Sequence, residues 1–376
     1  MTRKRWISLA MELLRLPTAP FYEGAVANWL RAFAEKRGMK VRQDEAGNLM
    51  IHYRKGRAAR RPLVISAHMD HPGFAAARMI GDRVLIAQWR GGVPPALFPG
   101  ARVRFFSEGA WVRGEVVSSA KKHFMGKPRP TKIVVERPVA PGSVGMWDFG
   151  EPKLRGKTLR ARGHDDVAGV AAIAAMLDEA KRIGLAADFL AFFTRAEEAG
   201  MIGAIAASRS GLLPRDAVLV PLETSRQLPN ARVGDGVVIR VGDSSSIFTP
   251  WVTAMIMEAA RELARQKRDF KFQRRLMDGG ICESSMYLAY GYETGGLCLP
   301  LGNYHNVNWE KMRLASEYIG TDDFGNLVEL LLELARRGVK REGASAAKAR
   351  WEAHFGRYGS ALDMPQGKAR GDGGRK

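Results

Sequence analysis

Apolar positions recur at helical spacing over Ser8–Arg15 and again over Gly24–Arg37, so two amphipathic helices are expected to open the chain. Val41 and Leu49–Tyr53 flank the turn-forming run Asp44-Glu45-Ala46-Gly47-Asn48, the pattern of a strand pair. Arg61–Ser66 reads as a buried strand ending at Ala67-His68-Met69-Asp70. From Phe74 to about Thr158 the texture changes to short alternating runs: Arg83–Trp89, Ala101–Phe106, Trp111–Ser118 and Lys132–Glu136. Gly91-Gly92, Pro94-Pro95, Pro99-Gly100 and Pro141-Gly142 punctuate them, which predicts a small β-barrel or sandwich. After Gly163 strands and helices alternate again. Helix Val167–Arg182, strand Phe189–Thr194, helix Ile202–Ser208 and strand Ala217–Glu223 come first. Helices Trp251–Lys267 and Cys282–Tyr290, strand Leu297–Leu301 and helix Phe324–Arg337 follow. The expected class is α/β, with helices on both faces of one sheet and an all-β insertion interrupting it. The division is 1–74 and 161–340 for the α/β part and 75–160 for the insertion. Residues 341–376 are expected to be a disordered basic tail with one helix near Lys348–His354.

Charge sharpens that division. The 376 residues carry 59 Lys+Arg against 39 Asp+Glu, a net +20. Residues 1–61 hold +9, 75–160 hold +10 and the tail +4, whereas 161–340 is slightly acidic at −2. A nucleic-acid binder would not put its charge surplus outside the segment richest in chemistry-bearing side chains. Lys121-Lys122-His123 and Arg155-Gly156-Lys157 are the short basic clusters that favour an anionic partner, but neither belongs to a recognised binding motif. Only Cys282 and Cys298 are present, which excludes a disulfide scaffold and a four-Cys zinc site and fits a reducing cytoplasm. Glu12 and Arg15 interrupt the apolar run of the basic N-terminus, so a surface helix is expected there, not a signal peptide. No run reaches 18 uncharged apolar residues, so no membrane span is expected.

Five short segments share one trait: each sets His, Asp or Glu beside a predicted strand end or helix start. They are His68-Met69-Asp70, His164-Asp165-Asp166, Glu197-Glu198, Glu223 and His305. In open α/β sheets the carboxyl ends of the strands form the ligand crevice, so these groups would converge. Two His with several carboxylates and no nearby Cys suit Zn, Co or Mn. A serine hydrolase built on Gly242-Asp243-Ser244-Ser245-Ser246 would lack a G-x-S-x-G elbow and leave the three Glu residues idle.

The ordered set resembles the co-catalytic metallo-aminopeptidase family typified by glutamyl aminopeptidase and the tetrahedral (TET) peptidases, over about residues 8–340. Its carriers are Ala67-His68-Met69-Asp70 with Gly73-Phe74, Asp165-Asp166-x-x-Gly169, and Glu197-Glu198-x-Gly200 with Gly203-Ala204. Glu223 and Gly279-Gly280 leading to Tyr304-His305 complete the set. The resemblance implies a three-layer, phosphorylase/hydrolase-like catalytic domain carrying a β-barrel insertion. It implies two divalent metal ions, Zn first with Co or Mn as alternatives. His68, Asp165 and Glu223 would hold one, and Asp165, Glu198 and His305 the other. Glu197 would be the general base, Asp70 would orient the His68 imidazole, and the Asp165–Asp166 peptide would be cis. The implied activity is removal of N-terminal residues from peptides by a cytoplasmic homo-oligomer assembled through the insertion. An amide deacylase or carboxypeptidase of the same clan is the alternative. His71, Val167, Gly242–Ser246 and Ile281-Cys282-Glu283 depart from the family pattern, and Glu223 stands where Asp is more usual. His164 is expected to pack or hydrogen-bond outside the metal shell, and His71 to contact substrate or lie on the surface.

Overall fold

A computed structural model describes residues 2–120, 127–341 and 344–363. The chain divides into two compact units, Met1–Val339 and Lys340–Lys376. In the first, α1 (Thr2–Leu14) and α2 (Gly24–Glu35) precede β1 (Val41–Gln43), β2 (Leu49–Lys55) and β3 (Leu63–His68). Six strands follow: β4 (Gly73–Ile80), β5 (Val84–Arg90), β6 (Arg102–Ser107), β7 (Ala110–Ser119), β8 (Arg129–Val135) and β9 (Val144–Trp147). They close into an antiparallel barrel in the order β4-β5-β8-β7-β6-β9. The next hairpin, β10 (Lys153–Arg155) and β11 (Thr158–Ala161), joins no barrel strand. It pairs through β11 with the strand Glu317–Gly320.

The second half contributes α3 (His164–Ile183), β12 (Ala187–Thr194), α4 (Ile202–Ser210), β13 (Val218–Arg226) and β14 (Val237–Asp243). Then come α5 (Pro250–Gln266), β15 (Phe272–Met277), α6 (Glu283–Ala289), β16 (Glu293–Thr294), β17 (Leu297–Leu301) and α7 (Thr321–Arg337). The main sheet runs β1-β2-β12-β3-β13-β17-β14-β15, with β16 beside β13. Its centre, β12-β3-β13-β17, is parallel, and antiparallel pairs lie on either side, so the sheet is mixed.

Alternation along the central strands assigns the layers. Ile65, Phe193 and Val220 face a core shared with α1, α2, α3, α5 and α7. Their neighbours Val64, Phe192 and Leu219 face a second core with α4 and α6. The expected three-layer α/β architecture with an inserted barrel is therefore present. Strands β14 and β15 were not anticipated, because Arg240, Arg274 and Arg275 interrupt their apolar pattern.

The barrel has its own core, in which Phe74 lies 4.6 Å from Trp89 and 5.0 Å from Trp147 between ring centroids. Gly145 is required beneath that cluster, since a Cβ there would lie 2.3 Å from the Phe105 ring. Of the two basic clusters, Arg155-Gly156-Lys157 forms the turn of the β10–β11 hairpin, and Lys157 pairs with Asp322 at 3.1 Å. Lys121-Lys122-His123 lies outside the described residues. The second unit holds α8 (Ala344–Tyr358), with Trp351, Phe355 and Tyr358 exposed. Among the described residues no helix is long and apolar enough to cross a membrane.

Asp178 on α3 ties the N-terminal helices together. It accepts from Arg5 Nε at 2.6 Å and Nη2 at 2.9 Å, and from Arg37 Nε at 2.7 Å. Burial alone would raise its carboxyl pKa, but the two guanidiniums outweigh burial and hold it below the ordinary value. A depressed carboxyl stabilises the fold above its unfolded pKa, and that contribution fades as pH falls through the folded value. Asp178→Asn is expected to lose about 2–3 kcal/mol at pH 7, with Arg5 discounted for its exposure. The deficit should shrink below about pH 4 in urea titrations of both proteins.

Candidate metal centre

The parallel strands deliver the donors. In the register, Thr194 of β12 lies beside His68 of β3, so the turn after β12 reaches the same edge as the end of β3. Glu197 and Glu198 occupy that turn, and Glu223 lies near the end of β13. His305 sits in the loop after β17, and Asp165 at the start of α3. His68, Asp165 and Glu223 offer ligand atoms within 4.8 Å of one another, and so do Asp165, Glu198 and His305. Asp165 belongs to both groups.

The imidazoles are oriented identically. His68 Nδ1 faces the Asp70 carbonyl at 3.2 Å, and His305 Nδ1 faces the Gly92 carbonyl at 3.1 Å. A carbonyl only accepts, so each Nδ1 carries a hydrogen and each Nε2 presents a lone pair. His68 Nε2 faces Asp165 Oδ1 at 3.4 Å and Glu223 Oε1 at 3.7 Å. His305 Nε2 faces Glu198 Oε1 at 3.0 Å and Asp165 Oδ2 at 3.3 Å. Both Nε2 atoms, Asp165 Oδ1 and Glu198 Oε1 are buried without a hydrogen-bond partner. Lone pairs facing carboxylate oxygens in a dry crevice are what a divalent cation would satisfy, so the donor set fits two such ions.

Electrostatics agree. Burial works against charge on His68, yet Asp165, Asp70, Glu197 and Glu223 outweigh it and hold its pKa well above ordinary. For His305 the same contest is won by Glu198 and Asp165. Burial opposes the Asp165 charge as well, but the two imidazoles draw its pKa below the ordinary value. Burial, with Asp165 adding to it, pushes Glu223 up to about 7. Burial likewise raises Glu197 well above ordinary, despite the opposing pull of His68.

The surrounding residues hold the backbone. Asp70 accepts from the amides of Glu197 and Glu198, each at 3.0 Å, and its Oδ1 is 3.4 Å from His68 Nδ1. It therefore fixes the acidic turn as well as lying beside the imidazole. Glu23 grips the same turn one residue earlier, through the Ala196 amide at 3.0 Å and Arg195 Nε at 2.7 Å. Ala196 has φ +51, the left-handed backbone that this grip supports. Glu317 accepts from the His164 amide at 2.7 Å beside the cis Asp165–Asp166 peptide. Asp166 accepts from Thr224 Oγ1 at 2.8 Å, and Gly169 leaves room for it, since a Cβ there would sit 2.3 Å from Asp166 Oδ2.

His71 is neither on the surface nor in the donor cluster. It is fully buried, its Nδ1 donates to the Asp165 carbonyl, and its Nε2 is 3.1 Å from Asn306 Oδ1. His164 is also fully buried, and burial pushes it down to about 3, so it is neutral. Both cysteines are free and buried, and burial pushes Cys282 up to about 12 and Cys298 to about 11. Glu23, Gly92 and Glu317 were not singled out from the sequence; their role is to hold groups distant in the chain.

The model of the M42 glutamyl aminopeptidase family matches residues 47–316. The chain belongs to the M42 glutamyl aminopeptidase family. It is accordingly a peptidase-type hydrolase. No curated protein matches it. Among solved structures it is similar to an aminopeptidase from the archaeon Desulfurococcus kamchatkensis, at 19% identity and TM-score 0.72. That match covers 90% of this chain and 96% of the other. A TET aminopeptidase from a marine sediment archaeon of the Thaumarchaeota matches at 18% identity and TM-score 0.72, over 89% and 97%. The TET1 peptidase of Pyrococcus horikoshii, described as assembling into a tetrahedron or a large octahedral shell, matches at 18% and 0.71. There the coverage is 88% of this chain and 99% of the other. At such identities the likeness is one of fold.

Proposed function

We propose that this M42 member is a dinuclear-metal aminopeptidase that releases N-terminal residues from peptides. The observation that carries the reading is the pair of donor triads meeting at Asp165, each with an oriented imidazole and unsatisfied buried atoms. His68, Asp165 and Glu223 would hold one ion, and Asp165, Glu198 and His305 the other; Zn is the first choice and Co or Mn the alternatives. Bound ions would lower the pKa of the attacking water and polarise the scissile carbonyl.

The chain's own residues divide the remaining work. Glu197 Oε2 lies 3.8 Å from His68 Nε2, at the edge of the donor cluster, and serves as the general base. Its carboxylate takes the proton from the attacking water and returns it to the leaving amine. Glu198, its neighbour, is turned to the His305 side. Asp70 separates their roles by holding both amides, so the two adjacent carboxylates cannot exchange positions without breaking its bonds. The surrounding walls exclude water and preserve the strength of these interactions.

Assembly belongs to the same proposal. Ile80, Phe106, Val117 and Val134, all on barrel strands, are exposed apolar side chains that a homo-oligomer contact through the barrel would cover. Two free buried thiols accord with work in the cytoplasm.

The test is release of N-terminal residues from aminoacyl-p-nitroanilides and peptides, with N-acyl amides as the comparison. Turnover is expected to disappear on chelation and return with Zn, Co or Mn. Activity that survives complete metal removal, or that is confined to N-acyl substrates, overturns the reading.

A further inference from the structure

A pocket of about 360 Å³ opens beside the donor cluster, lined by Glu223, Ser225 and Arg226 of β13, Arg240 of β14, Gly280 and Tyr304. Two of these belong to the metal centre: Glu223 faces His68 at 3.7 Å, and Tyr304 stacks on the His305 ring at 3.8 Å. The volume is near the lower end of ligand sites, about 300–1,000 Å³, and suits one side chain or a short peptide end.

Arg240 is the unusual wall. Its side chain belongs to a residue only 2% exposed, and it has no carboxylate partner. Nη1 donates to Ser225 Oγ at 3.1 Å, Nε has no acceptor at all, and the Phe248 ring lies 6.0 Å away. Guanidinium keeps its charge at any physiological pH, and an unpaired buried cation is strongly unfavourable. Arg226 adds a second cation to the same pocket, its guanidinium 5.5 Å from the Trp309 ring. Gly280 leaves the opposite wall open, since a Cβ there would meet nothing within 4 Å.

We propose that Arg240 is the carboxylate anchor of the substrate pocket, receiving an anionic group of the peptide as its missing counter-ion. The inference rests on the aminopeptidase reading of the same site and adds what that site selects. A carboxylate would accept from the free Nε and the outer edge of the fork, the planar arrangement that guanidinium offers best. A lysyl or arginyl side chain would place a third cation in the pocket, and a neutral one would leave Arg240 unpaired. The carboxylate has two sources: the side chain of an N-terminal Asp or Glu, or the C-terminal carboxylate of a very short peptide.

The metal-loaded wild type, Arg240→Met and Arg240→Lys are compared by kcat/KM in two arms. Glu-, Gln- and Lys-p-nitroanilides lack a C-terminal carboxylate and read the side-chain source; Leu-Ala against Leu-Ala-amide reads the other. The carboxylate form is expected to be preferred by about 10–100-fold in one arm, with the Lys substrate lowest in the first. That preference should collapse toward unity in Arg240→Met and shrink in Arg240→Lys, which keeps the charge but loses the fork. Equal rates with and without a carboxylate in both wild-type arms overturn the assignment, whether or not the variants fold. A preference that survives unchanged in a folded variant overturns it too. Turnover of Gln and Leu substrates without carboxylate preference would leave the aminopeptidase reading standing. Absence of turnover on every substrate would remove that reading and this inference with it.

Discussion

Glu197→Gln is expected to retain both metal ions while kcat falls by about 10³–10⁴-fold, the range of a lost general base. Gln keeps the size and reach of the side chain but cannot accept the water's proton. Neither donor triad includes Glu197, so metal content by elemental analysis should match wild type. The Asp70 bonds to the Glu197 and Glu198 amides involve backbone only and should survive as well. KM should change little, because the loss falls on the transition state. A variant with wild-type kcat would remove Glu197 from the base role. A variant that lost its metal would instead move Glu197 into the ligand set.

Local pattern carried most of the fold. Strands β3, β12 and β17 are near-continuous apolar runs, as expected of parallel strands buried on both faces, and each is followed by a chemistry-bearing segment. That order of strand then His, Asp or Glu made the donor set readable, because each donor is fixed by its own strand end. What stayed hidden depends on contacts far apart in sequence. Glu23 acts on Ala196, and Glu317 on His164; both look like ordinary surface acids until the backbone amides they accept from are in place. His71 was open to a surface role because a histidine after a strand has no local mark of burial. Arg240 was invisible for a similar reason. A cation amid Val237, Val238 and Ile239 suggests a strand exposed on one face, whereas β14 buries that position too. The β10–β11 hairpin pairs with a strand more than 150 residues later, a partnership no local alternation encodes.

Asp165→Asn is expected to abolish activity by a different route, through loss of metal. Asp165 is the one residue common to both donor triads, and its two oxygens face opposite imidazoles: Oδ1 toward His68 and Oδ2 toward His305. An amide keeps one weaker oxygen donor and turns an NH2 group toward the other imidazole. That NH2 can donate to an Nε2 lone pair, so the apo protein should fold at least as well as wild type. The crevice also loses one negative charge among crowded buried carboxylates, which relieves repulsion in the absence of a cation. Both ions should therefore bind far more weakly, with more than a tenfold loss of affinity at each site. The combination is diagnostic. Calorimetric titration with Zn should show both sites weakened, and thermal melts in chelator should show no loss of apo stability. A variant in which only one ion weakens would mean that Asp165 does not bridge. Retention of both ions at wild-type affinity would remove it from the metal centre altogether.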